Sequence, residues 1–220
     1  MTVSHALLIA FILISLLHLA AEGARLRVGR YITKPLLMPV LALYYVSSAA
    51  HPNPLLAGAI LCGWLGDVFL MLPDPQHSGR YFRQGLIFFS FGHILYILVF
   101  VSSCSRPFHL PVWGWAALTL YAAAAAAGYL VIARRAGKLR TAVSAYIAII
   151  ALMGMSTVLP MGNAHTSGVV MAMAGAFLFM GSDTINAYNR LVSEIRFEWL
   201  LTMGAYLIAQ FLLVQGYLMF

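Results

Sequence analysis

The chain has 220 residues, of which 62% are hydrophobic and only 9% charged, and its mean hydropathy is +0.89. That balance excludes a soluble domain and a disordered chain and describes a multi-pass membrane protein. The formal net charge of +7 therefore reads as a topology signal and as attraction to membrane lipids; the basic loops are too short for a nucleic-acid motif, and no nucleic-acid partner is expected.

At about 20 apolar residues per crossing, this length holds eight helices and short loops, so residues 1–220 are expected to form a single transmembrane domain. The apolar runs predict spans over 3–21, 34–50, 54–72, 84–102, 111–133, 141–159, 167–187 and 199–219. The first lacks an N-terminal positive charge and a small-residue cleavage pattern, so it reads as a retained helix. Turn-forming residues mark the breaks: His51-Pro-Asn-Pro54, Leu72-Pro-Asp-Pro75, Arg106-Pro107, Leu110-Pro111 and Leu159-Pro-Met-Gly-Asn163. The expected fold is an all-α integral membrane protein, a bundle of eight transmembrane helices.

Charge sets the orientation. Arg25, Arg27, Arg30 and Lys34, then Arg80 and Arg83, then Arg134, Arg135, Lys138 and Arg140, then Arg190 and Arg196 all fall on one side of the predicted bundle, and Arg106 alone falls on the other. The positive-inside rule then puts the basic loops in the cytoplasm and both termini outside a cell membrane. His5, His51, His109 and His165 fall at the outer face without zinc-ligand spacing. Cys62 and Cys104 lie at different depths and outside any Cys-x-x-Cys pattern, so they read as apolar packing residues and not as a disulfide. No metal and no cofactor is expected, since phosphate-loop, dinucleotide and serine-elbow motifs are all missing.

Two aspartates stand out within this apolar background. Asp67 lies in Leu61-Cys-Gly-Trp-Leu-Gly-Asp-Val-Phe-Leu-Met71 and Asp183 in Phe177-Leu-Phe-Met-Gly-Ser-Asp-Thr-Ile-Asn186. A carboxyl at the bilayer centre costs about 2.5 to 3.5 kcal/mol on insertion scales, so an intramembrane aspartate faces protein or water and marks function. The predicted topology runs spans three and seven in the same direction and puts both carboxyls about 6 to 8 Å below the cytoplasmic edge. Gly63, Gly66, Gly181 and Ser182 beside them allow neighbouring helices to approach closely.

Further polar groups reach toward that level. His18 is near the inner end of span one and Lys34 opens span two; His93 shares a stripe with Ser90 and Tyr96 in span four. Thr202, Tyr206 and Gln210 are spaced by four in span eight, and Asn186 and Arg190 continue the Asp183 face. Lys34, His93, Tyr96, Asn186, Arg190, Tyr206 and Gln210 are thus the candidate substrate-binding residues, whereas His18 and Thr202 read as helix-to-helix hydrogen bonds. Each half of the chain also has a basic loop after its first span and an aspartate near the end of its third, which suggests two parallel four-helix halves.

The succession Thr33-Lys34-Pro-Leu-Leu-Met-Pro39, Gly66-Asp67-Val-Phe-Leu70, Phe82-Arg-Gln-Gly-Leu86 with Gly92-His93-Ile-Leu-Tyr96, Gly181-Ser-Asp183 and Tyr206-x-x-Ala-Gln210 resembles the motifs of the YhhN, or lysoplasmalogenase-like, family of membrane proteins. The resemblance covers nearly the whole chain. It implies hydrolysis of the vinyl ether bond of lysoplasmalogens to a fatty aldehyde and a glycerophospho-alcohol, with a lysophospholipid as substrate. It also implies Asp67 and Asp183 as the catalytic pair and Lys34, His93 and Tyr96 as further motif positions. Asn186 is more polar than the residue the pattern leads one to expect there.

The chemistry fits that implication. A vinyl ether is cleaved by protonating its β-carbon to an oxocarbenium ion, after which water adds and the hemiacetal collapses. This needs one acid and one nearby anion, roles that two carboxyls in a poorly hydrated pocket can divide between them. Lys34, Arg190 and the other arginines suit the phosphate. The competing expectation is a proton-coupled lipid or small-molecule transporter that uses the same aspartates.

Overall fold

The computed structural model describes residues 2–73, 79–104, 110–162 and 164–220. Asp74, Pro75, Arg106, Pro107, His109 and Asn163, which the loop and charge readings use, lie outside the described residues. The described residues form eight α-helices: α1 Val3–Gly23, α2 Arg27–Ser48, α3 Pro54–Met71, α4 Arg80–Ser102, α5 Val112–Val131, α6 Arg140–Ser156, α7 Thr166–Leu191 and α8 Glu198–Tyr217. No strand occurs among them beyond an isolated bridge between Met161 and Ala164.

Seven of the eight helices are long and apolar enough to cross a membrane, and the chain is a multi-pass membrane protein. The exception is α2. It starts seven residues before the expected span, because the helix runs back through Arg27 and Arg30, and these cations dilute its apolar character. Similarly, α7 continues four residues past the expected end, through Tyr188, Asn189 and Arg190, to Leu191. Asp67 is therefore four residues from the end of its helix and Asp183 eight from the end of its own.

The side-chain distribution matches a lipid surround. Ile9, Ile12, Leu13, Leu16 and Leu17 of α1 are exposed, while His18, Asp67, His93 and Gln210 are buried. Polar groups without water must find partners inside the protein, so they turn inward and the hydrocarbon turns out.

The chain divides into two compact units, Met1–Leu95 and Tyr96–Phe220, with the division inside α4. In the first, α1 packs on α2 and α2 on α3. The α1–α2 turn has Schellman geometry: Leu26 N–H donates to Ala21 C=O at 2.8 Å and Arg25 N–H to Glu22 C=O at 3.0 Å. Arg25 takes the left-handed conformation this motif requires, at φ 55°. Helix α4 closes on α3 through glycines; a Cβ on Gly66 would lie 2.6 Å from the Phe89 ring, and one on Gly92 would lie 3.0 Å from Ala59 C=O.

In the second unit, α5 packs on α6, and α7 lies along α8 on small residues. A Cβ on Gly168 would meet Gly216 C=O at 2.7 Å, and one on Gly216 would meet Ala172 N at 2.7 Å. Backbones that close have no room for side chains, which is the usual seam between membrane helices. Tyr121 of α5 lies over Gly154 of α6 and donates its hydroxyl to Met173 C=O of α7 at 2.7 Å.

Candidate functional site

The first unit builds its polar site from the chain turn upward. Reversal at Arg25 lays the start of α2 against the end of α1, and Glu22 thereby meets Arg30 with Oε1 2.8 Å from Nε. One turn further along α2, Thr33 donates its hydroxyl to Gly29 C=O at 2.7 Å. That hydroxyl is then the acceptor for His18 Nδ1–H, 2.8 Å away, and the ring's Nε2 faces Glu22 Oε1 at 3.8 Å. His18 is fully buried and joins α1 to α2, as expected of it.

Proline chemistry fixes α3 against α2. Pro39 has no N–H, so the Pro35 carbonyl four residues earlier loses its helical partner. Trp64 Nε1–H takes that place at 2.9 Å. Three residues along the same face of α3 stands Asp67, only 3% exposed, with Oδ1 3.5 Å from Lys34 Nζ. The motif lysine and the first motif aspartate are thus brought together across α2 and α3. A cavity of about 480 Å³ adjoins them, lined by Arg27, Arg30, Tyr31, Lys34, Leu70 and Met71 among others. His93 of α4 is 1% exposed.

Asp183 belongs to the second unit and is half-buried on α7. Its Oδ2 accepts a hydrogen bond from the Tyr146 hydroxyl of α6. Ser182 beside it donates to Thr202 C=O of α8 at 2.9 Å. Thr202 bonds Glu198 Oε1 on its own helix at 2.8 Å, so it links α8 to α7 through its carbonyl and not through its side chain. Tyr96, Tyr206 and Gln210 meet in one buried group: the Tyr96 hydroxyl donates to Gln210 Oε1 at 2.7 Å, and Gln210 Nε2 lies 3.5 Å from the Tyr206 hydroxyl. Asn186, one turn after Asp183, is half-buried and makes no hydrogen bond among the described residues. Arg190 is exposed in the last turn of α7. An apolar cavity of about 380 Å³ lies between α5 and α7, with Ala124, Gly128, Phe177, Met180 and Gly181 in its lining.

Tyr146, Glu22 and Trp64 are neighbours of the candidate residues that the sequence did not single out. A tyrosine in the apolar run of α6 carries no periodic signal that distinguishes an aspartate partner from a lipid-facing ring. Pro39 did carry one, because an intrahelical proline announces an orphan carbonyl four residues back.

A model of the YhhN family matches residues 29–217. The chain belongs to the YhhN family. Two curated relatives agree in extent: lysoplasmalogenase TMEM86B of Rattus norvegicus is 31% identical over 183 residues, covering 82% of this chain and 68% of the relative. The protein of the same name from Mus musculus is 29% identical over 181 residues, covering 82% of this chain and 71% of the relative. No solved structure matches the chain. The family match begins inside α2, so Lys34, Asp67, Asp183 and Gln210 all fall within it.

Proposed function

We propose that this YhhN protein is a membrane hydrolase that cleaves the vinyl ether bond of lysoplasmalogens, with Asp67 and Asp183 as its acid–base groups. The relatives' shared activity supports the reaction class. On the structural side, the observation that carries it is the buried Lys34–Asp67 pair, since a carboxylate held within an apolar helix by a lysine is a ready-made anion.

The roles divide on the partners. Asp67, facing an ammonium, serves as the anion that stabilises the oxocarbenium ion and then takes a proton from the attacking water. Asp183, oriented by Tyr146, serves as the acid that delivers a proton to the β-carbon of the vinyl ether. Water addition leaves Asp67 protonated and Asp183 ionised; as the hemiacetal collapses, Asp67 gives its proton to the departing glycerol oxygen and Asp183 takes the hemiacetal hydroxyl proton, which restores both groups. Collapse of the hemiacetal yields aldehyde and glycerophospho-alcohol. Lys34, Asn186 and Arg190 are assigned to the substrate's polar part, and His93, Tyr96, Tyr206 and Gln210 are further substrate-binding residues of this reading.

This reading takes the whole chain as one transmembrane domain of eight crossings, in two parallel halves, with the basic loops in the cytoplasm and both termini outside. No observation favours the proton-coupled transporter over it. The deciding experiment presents the purified protein with a lysoplasmalogen beside the corresponding acyl lysophospholipid. Free aldehyde from the first, with no fatty acid from the second, is expected; fatty acid release without aldehyde would replace the reading with an esterase.

A further inference from the structure

Arg27, Arg30 and Lys34 are spaced by three and four residues at the start of α2, so the three cations share one helix face. Alone, that placement is unfavourable. A helix N-terminus carries about half a positive charge in its unpaired N–H groups, and like charges at this spacing repel. The first turn of α2 has no acidic residue, and its N-cap, Leu26, supplies no side-chain acceptor.

Two carboxylates offset part of the excess. Glu22 takes Arg30 at 2.8 Å, and Asp67 stands 3.5 Å from Lys34. Arg27 makes no ion pair or hydrogen bond among the described residues. Among the described residues, three cations thus face two carboxylates, and one positive charge is left over where Arg27, Arg30 and Lys34 line the cavity of about 480 Å³. Leu70 and Met71 of α3 line the same cavity, and α3 is held to α2 by the Tyr31 hydroxyl, which donates to Met71 C=O at 3.1 Å. The lining thus joins the cations of α2 to the apolar end of α3.

We propose that this cavity seats the phosphodiester of a lysophospholipid, with Arg27 and Arg30 gripping the phosphate and Leu70 and Met71 facing the start of the hydrocarbon. The proposal rests on the lysophospholipid substrate of the reading above and extends it to a defined headgroup site. The single charge of a phosphodiester balances the charge left over, guanidinium groups match phosphate oxygens in pairs, and the N–H groups opening α2 add to the attraction. The volume lies within the range of about 300–1,000 Å³ usual for small-molecule sites. Lys34 borders both the cavity and Asp67, so a phosphate held here is one side chain from the carboxylate, and the vinyl ether oxygen is one glycerol from that phosphate. Glu22 and Asp67 are already committed to Arg30 and Lys34. The site therefore reads the phosphate and not the ammonium beyond it, and ethanolamine and choline lipids should bind alike.

The test is equilibrium binding to the full chain in nanodiscs. An acyl lysophosphatidylethanolamine and a monoacylglycerol of the same chain length serve as probes, since neither contains a vinyl ether. The protein should prefer the phosphate-bearing lipid by about tenfold or more, equivalent to about 1.4 kcal/mol. Arg27→Gln should erase most of that preference, Arg27→Lys should keep most of it, and monoacylglycerol binding should be unchanged in both. Because Arg27 is exposed and its side chain makes no bond among the described residues, these variants should fold, with gel filtration and melting as controls. Inorganic phosphate at millimolar concentration should leave lysolipid binding intact. Equal affinity for the two lipids, or an undiminished preference in both Arg27→Gln and Arg30→Gln, overturns the site. Displacement by inorganic phosphate overturns the lipid assignment in favour of a free anion. A protein that shows the preference but releases no aldehyde from a lysoplasmalogen keeps the headgroup site and loses the hydrolase.

Discussion

Lys34 of α2 and Asp67 of α3 form an ion pair of 3.5 Å in a place where the aspartate side chain is 5% and the lysine 12% exposed. Removing one partner of a buried pair leaves an uncompensated charge, at a cost of about 3 to 5 kcal/mol, whereas removing both is far milder. Lys34→Gln should therefore melt well below the parent in detergent, and Lys34→Gln with Asp67→Asn should recover part of the loss. Full additivity in this double-mutant cycle would mean that the two groups do not interact.

The same partners separate catalytic loss from structural loss. Asp67→Asn and Asp183→Asn should each lower the rate of aldehyde release by at least about 10²-fold in the fraction that gel filtration shows folded, and the charge-balanced Lys34→Gln with Asp67→Asn should be as inactive as Asp67→Asn while more stable. Tyr146→Phe, which removes the hydroxyl but not the carboxyl, should cost less than Asp183→Asn and should have little further effect when added to it. Appreciable turnover by either folded asparagine variant would exclude the two-carboxyl mechanism.

What the sequence made legible follows from the kind of signal each residue carries. Asp67 and Asp183 could be singled out as candidates because a charge inside an apolar run is costly wherever its partner lies, and Lys34 because it opens such a run. Partner choice could not be read. That Glu22 takes Arg30, that Tyr146 reaches Asp183 and that Trp64 caps Pro35 all depend on how helices pack, and hydropathy has no term for packing. Helix ends were legible only where the apolar run and the helix stop together. They coincide at Met71, within a residue, and part at Arg27 and Leu191, where polar residues continue the helix beyond the bilayer pattern.

The weak apolarity of α2 makes topology a measurement and not a formality. If α2 crosses the membrane, the chain makes eight crossings and its termini share a side; if it does not, they lie on opposite sides. Reporter fusions or cysteine labelling should find both termini outside and residues 134–140 inside. Termini on opposite sides would leave the seven helices of sufficient apolarity as the spans and reverse half of the charge argument.

The seam between α7 and α8 gives a prediction independent of chemistry. Gly168→Val and Gly216→Val must force apart backbones whose carbonyls lie within 2.7 Å of any new Cβ, so each should lower stability by about 1 to 3 kcal/mol. Gly204→Ala, where a Cβ meets nothing within 4 Å, should be neutral or stabilising, since alanine is the better helix former. Melting curves of the three variants in one detergent check the contrast.

Carbon protonation is the step that distinguishes vinyl ether cleavage from ester hydrolysis and from transport. If Asp183 delivers a proton to carbon, reaction in deuterium oxide must place solvent deuterium on the carbon next to the aldehyde carbonyl, and turnover should slow by more than an oxygen-to-oxygen proton shuttle would produce. An acyl lysophospholipid offers no such carbon and a saturated alkyl ether no such double bond, so both should bind without reacting, held by the same cationic face of α2. Mass spectrometry of the aldehyde, corrected for exchange of the free product, reads the outcome directly. Aldehyde without deuterium at that carbon would sink the protonation step even in an active enzyme, and would leave the two intrahelical carboxyls to be explained by some other proton transfer.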